Sequence, residues 1–177
     1  MAANSSLLGL EPDHVPAGRD PLFDLPVEVD GARWRGIVIH HLGRPSGDVD
    51  AVDRLHRSVG IKDGIGFHFL IGNGNGLDNG VISITDRWRE QRPGVHVPGE
   101  AGAWHNEHSI AICLVGNGDR RAFEDRQIES LAMVIRRLQE AFDIPADQVH
   151  MASELNPRTT GPGRYFPRAR LTESILP

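Results

Sequence analysis

The segment SIAICLVG, residues 109–116, is apolar at odd and even positions alike. Successive side chains of a strand point to opposite faces, so a strand wetted on one side alternates apolar with polar residues, whereas one apolar throughout is covered on both sides. This run therefore belongs in the middle of a sheet. Two further runs fit beside it. Residues 34–41, WRGIVIHH, are β-branched and end at a Gly-Arg-Pro-Ser-Gly loop. Residues 67–72, FHFLIG, lead into Asn73-Gly74-Asn75-Gly76, residues that tolerate positive φ in a tight turn. Residues 80–85 read as another strand, and Val149 marks a last short apolar step.

Helical spacing appears twice. Val49, Val52, Leu55 and Val59 follow Asp48, a suitable N-cap, and Gly60 stands where a helix stops. Ile128, Leu131, Ala132, Ile135, Leu138 and Phe142 recur at steps of three and four with arginines and glutamates opposite, and Pro145 ends the pattern. A further helix is expected from Arg168, and residues 93–102 read as a long loop. Strands alternating with helices around one central strand predict an α/β fold, a single mixed central sheet flanked by helices. Residues 1–33 are rich in Pro, Asp and Gly with scattered apolar side chains, which predicts an extended arm laid over a domain of residues 34–177. No internal repeat is present.

Composition narrows the function classes. A chain of 177 residues suits one domain, and 39% hydrophobic with 24% charged residues argues against both disorder and a membrane class. With 19 basic against 24 acidic residues and a net charge of -5, a dedicated nucleic-acid binder is disfavoured. Arg87, Arg89 and Arg92 are interleaved with Asp86 and Glu90, and are expected to form a solvated mixed face without function. The single cysteine, Cys113, lies in the apolar run and is expected to behave as a small buried hydrophobe. The opening MAANSSLLGLEPDH lacks a basic n-region and a long apolar stretch, so no secretory signal is expected, and no run reaches the ~18 apolar residues of a membrane span.

Four segments in order resemble the N-acetylmuramoyl-L-alanine amidase and peptidoglycan recognition protein family, over residues 36 to about 167. IVIHHLG resembles the family strand that ends in its first zinc-binding histidine, here His40. HRSVGIKDGIGFHFLIG is similar to the family's H-x-x-x-G-W-x-D-I-G-Y-H-F-L-I. HNEHSIAICLVGN resembles H-N-x-x-S-I-G-I-x-L-V-G, with Val95-His96 upstream matching a G-A-H. IPADQVHMASELNPRTTGPGRYFP resembles the closing I-P-x-x-x-V-x-G-H-R-E-V-N-P-R-T-x-C-P-G-x-x-F-P. The resemblance implies the amidase-like fold and an enzyme that cuts between the lactyl group of muramic acid and the first alanine of the stem peptide. It further implies a zinc ion on two histidines and a cysteine or aspartate, with an open position for water.

The residues depart from that chemistry. Aligned on Val149, Glu154, Asn156, Pro157 and Pro162, the second histidine falls on Ala152 and the thiolate or carboxylate on Gly161. Neither side chain can bind a metal. The tyrosine that would stabilise an oxyanion is Phe67, and a basic residue sometimes present near the third ligand is Thr159. His150, two residues before Ala152, is the one substitute the alternation of a strand allows, so zinc on His40 and His150 stays open as a minority reading. His96 and Asn106 match family positions that line the substrate cleft. His56 and His68 are expected to be satisfied structural residues, His41, His105 and His108 to be exposed, and His14 carries no signal.

The expected ligand groove thus comprises His40, Phe67, His96, Asn106, Ala152, Thr159 and Gly161. The leading expectation is a catalytically silent domain that binds peptidoglycan fragments or muropeptides, with no cofactor. The competing ones are a zinc amidase with a non-standard metal site and a structural part of a larger assembly, such as a phage or secretion particle, contacting its partners through the arm. Without a signal, the chain is expected to be cytoplasmic or delivered to the cell wall by another system.

Overall fold

The doubly apolar run becomes β4 (Ser109–Leu114), buried at every residue and central among five strands in the computed structural model, which describes residues 20–177. β1 (Gly36–His41) and β2 (Phe69–Ile71) flank it in parallel. β3 (Ile82–Ile84) pairs antiparallel with β2, and β5 (Val149–Met151) pairs parallel with β1, giving the order β3-β2-β4-β1-β5. This is the expected mixed sheet, with each strand somewhat shorter than its apolar run.

Register divides the side chains between two layers. Ile37 and Ile39 of β1, Phe69 and Ile71 of β2, and Ile110, Ile112 and Leu114 of β4 are fully buried in one cluster with α4 (Asp125–Phe142). The helix contributes the stripe expected from its spacing, with Ile128, Leu131, Ile135 and Leu138 all buried. Burying each such side chain contributes about 1.5–3 kcal/mol, so this layer anchors the domain. α4 stops at Asp143, whose φ of 51° is left-handed, just ahead of Pro145. Leu171 of α6 (Arg168–Ser174) joins the same cluster.

The opposite layer is thinner. α1 (Val49–Ser58) lays Val52 over Leu70, Ala111 and Cys113, with Ile65, Phe67 and Leu77 filling in. The Asp48 carboxylate accepts from Ala51 N at 2.7 Å, as expected of an N-cap, and Gly60 turns the chain away at φ 95°. Burial raises the Cys113 thiol pKa, consistent with an inert buried residue.

Two short helices depart from the expected loops. α3 (Ala103–His108) follows the segment 93–102, and none of its residues is buried, so no apolar stripe announced it. α2 (Asp86–Arg89) holds the arginine cluster, and here the expectation is corrected. Arg87 is 3% exposed, with Nε donating to the Ile65 carbonyl and Nη1 to the Pro93 carbonyl, each at 2.5 Å. Carbonyls brought from two other segments hold it, and no local charge pattern foretells that. Arg92 is half-buried and pairs with Glu90 at 2.9 Å.

Of the expected arm, residues 1–19 lie outside the described residues. Residues 20–33 run in turns against the domain. Leu22 is fully buried and its carbonyl accepts from Trp88 Nε1 at 2.7 Å, while Phe23 meets the edge of Phe142 at 5.9 Å. Among the described residues no helix is long and apolar enough to cross a membrane.

Candidate ligand groove

His40 is placed by β1. It shares a face with Val38 and pairs with Cys113, so its ring enters the thin layer beside α1 rather than the α4 core. It is 7% exposed, and its Nε2 lies 2.9 Å from Nδ1 of His96. One nitrogen donates and the other accepts, so the hydrogen bond requires an unprotonated ring nitrogen. Burial, reinforced by the neighbouring His96, holds the His40 pKa well below 6.5, and burial pushes His96 down to about 3. The pair is neutral near pH 7.

Phe67 supports this pair. Its ring lies 5.1 Å from that of His40 and 5.0 Å from that of His56. His56 in turn accepts from Gly66 N through Nδ1 at 2.9 Å, the structural role expected of it. His68 is fully buried: Nδ1 accepts from Ala111 N at 2.9 Å and Nε2 faces the Arg92 carbonyl at 3.0 Å, so both nitrogens are used. Its pKa is lowered by burial to about 3.

Asn106 stands one layer behind the groove. Its Oδ1 accepts from His96 N and Val97 N, both at 2.9 Å, and its Nδ2 donates to the Val97 carbonyl at 2.7 Å. The amide is thus engaged in fixing the backbone that carries His96.

The remaining groove residues come from the end of the chain. Ile39 pairs with Met151, so the next residues, His40 and Ala152, stand level at the top of neighbouring strands. Ala152 is 2% exposed and opens α5 (Ala152–Leu155). A Cβ built on Gly161 would lie 3.5 Å from the Ala152 Cβ, 3.5 Å from Thr159 Oγ1 and 3.6 Å from His41 Cδ2. The loop is latched on both sides: Ser153 N donates to the Gly161 carbonyl at 2.8 Å, and the Thr160 hydroxyl bonds the Asp119 carboxylate. Gly118 N donates to His41 Nδ1 at 3.1 Å, so His41 is half-buried and engaged rather than exposed as expected. His105 and His108 are also half-buried, because α3 stacks them on Trp104.

These positions do not fit a zinc ion. Ala152 offers a methyl group and Gly161 a hydrogen, so neither position carries an atom that could bind a metal. His150 pairs with Val38, two residues short of His40, and its ring packs 5.6 Å from that of His105. Among the described residues no three His, Cys, Asp or Glu side chains are grouped to hold a metal ion. A cavity of about 480 Å³ opens between Leu42, Pro45, Ala51, Leu55 and Gly76, and none of the expected groove residues lines it.

A central mixed sheet with this strand order, and a pocket at the ends of its parallel strands, defines an amidase-like domain. The model of the family described as N-acetylmuramoyl-L-alanine amidase matches residues 30–164, and the chain belongs to that family. Among solved structures it is similar to the endolysin amidase LysCS from Clostridium intestinale, with a TM-score of 0.68 and 24% identity over 82% of this chain and 87% of that one. It is also similar to bumblebee PGRP-SA, with a TM-score of 0.62 and 21% identity over 77% of this chain and 80% of that one. Peptidoglycan recognition protein LE, solved in complex with tracheal cytotoxin, a monomeric diaminopimelic acid-type peptidoglycan, gives a TM-score of 0.63 and 20% identity over 97% of this chain and 93% of that one. No curated protein sequence matches significantly.

Proposed function

We propose that this domain binds a muropeptide or related cell-wall glycopeptide in the groove above His40 and does not hydrolyse it. The observation that carries this reading is that Ala152, beside His40 at the end of the neighbouring strand, and Gly161, where the resemblance would place two metal ligands, carry no ligating side chain. A catalytic zinc site needs three protein ligands and an open position, and only His40 of the implied set has a ligating side chain. Losing one oxyanion donor, as at Phe67, costs a hundredfold to a thousandfold by typical measure, whereas losing the metal removes the nucleophile. What remains suits binding. Phe67 and Ala152 give an apolar wall, and the neutral His40–His96 pair can hydrogen-bond an amide without a fixed charge. The complex of protein LE with a peptidoglycan monomer supports this ligand class by analogy of fold alone.

Calorimetric titration of the chain with a soluble muropeptide, with and without zinc, tests the proposal. Saturable binding at millimolar ligand or below, with no stem peptide released on long incubation, is the expected outcome. Absence of heat at millimolar ligand would refute the binding half. Release of peptide that depends on zinc and is lost in His40→Ala would return the chain to the hydrolases.

A further inference from the structure

Of the three tryptophans, Trp34 and Trp88 are fully buried, and Trp104 is 47% exposed. A singly exposed apolar residue is ordinary. This ring differs in being fixed and flanked. His105 meets it at 5.1 Å and 88°, and His108 at 5.2 Å and 46°. Those imidazoles are themselves held, His105 Nδ1 within 3.2 Å of Ser109 Oγ and His108 Nδ1 within 3.2 Å of the Arg33 carbonyl. The indole therefore has little freedom left to lose on binding.

Its position continues the groove. Ala152 stands at the top of β5 level with His40, and His150 lies two residues below, roughly 7 Å along a strand, on the same face. His150 packs edge-on against His105 at 5.6 Å, and His105 packs against Trp104. A track of side chains thus runs from the proposed peptide site down the edge strand to a half-exposed indole. A pyranose ring presents C–H groups on its face and hydroxyls around its rim. An indole face accepts the first, and half-buried imidazoles with donor and acceptor nitrogens accept the second.

We propose that Trp104, with His105 and His150 at its edge, is a stacking platform for a hexosamine ring of the glycan that carries the bound peptide. This rests on the groove reading above, and the experiment separates the two. Because Trp34 and Trp88 are buried, acrylamide quenching of tryptophan fluorescence reports Trp104. The probes are a muropeptide, the same stem peptide without sugar, and the tetramer of N-acetylglucosamine. The tetramer should shield Trp104 from acrylamide, and Trp104→Ala should weaken the muropeptide about tenfold while leaving the sugar-free peptide unchanged. Trp104→Phe, which keeps a ring, should recover most of the loss. Equal muropeptide affinity in wild type and Trp104→Ala, with no shielding by the tetramer, would overturn the platform and leave the groove standing. Shielding by the tetramer without peptide binding would uphold the platform and remove the groove.

Discussion

The two faces of the sheet are built to different rules. Under α4 the strands present Ile37, Ile39, Phe69, Ile71, Ile110, Ile112 and Leu114, large side chains packed into one cluster. Toward α1 the same strands present Val38, His40, Leu70, Ala111 and Cys113, a mixture of small, polar and apolar residues covered by one short helix. The first face gains its stability from buried area, whereas the second buries an imidazole, His40, that desolvation keeps neutral. Core and groove therefore share a backbone but respond to different perturbations.

Acid should separate them most. His68 and His96, with pKa values of about 3, stay neutral in the fold but charge at the ordinary value of 6.5 when unfolded. The unfolded chain then binds more protons between those limits, so stability is intact above pH 6.5 and falls as pH drops toward 3. At a little over 1 kcal/mol per pH unit for each, these two remove about 5 kcal/mol by pH 4.5, and His40 adds in the same direction. Urea midpoints at pH 7 and pH 4.5 measure this; a pH-independent midpoint would contradict neutral burial. Leu131→Ala, at a fully buried position of the α4 face, should cost about 3–4 kcal/mol by denaturant unfolding. Arg87→Leu leaves the carbonyls of Ile65 and Pro93 without their donor and should cost about 2–3 kcal/mol. His40→Ala should cost only about 1–2 kcal/mol, since it removes one hydrogen bond and a ring contact from the thin layer. If it proves as costly as Leu131→Ala, the contrast between the faces fails. Asp48→Ala, which removes the cap of α1, should cost about 1 kcal/mol and leave the α4 face untouched.

Legibility followed the same division. The strand SIAICLVG, the stripe of α4 and the cap at Asp48 were readable because each depends on a period or a neighbour within a few residues. The groove residues were readable as positions through resemblance, and the structure brings His40, Phe67 and His96 into contact with Ala152 level beside His40. The engagement of Asn106 with the backbone of residues 96 and 97 was not legible, since it joins residues nine and ten positions apart through a loop. The burial of Arg87 and the engagement of His41 were not legible, because their partners Ile65 and Gly118 lie 22 and 77 positions away along the chain.

By itself the sequence determined the sheet and its central strand, since hydrophobic periodicity is a local property of the chain, and through resemblance it named the positions of the expected groove. Tertiary structure alone decided that His40 bonds to His96, that the Gly161 carbonyl accepts from Ser153 N, and that Trp104 is linked through His105 to His150. His40 and His96 stand 56 positions apart, and only the register of strands and the docking of loops bring such residues within hydrogen-bond distance.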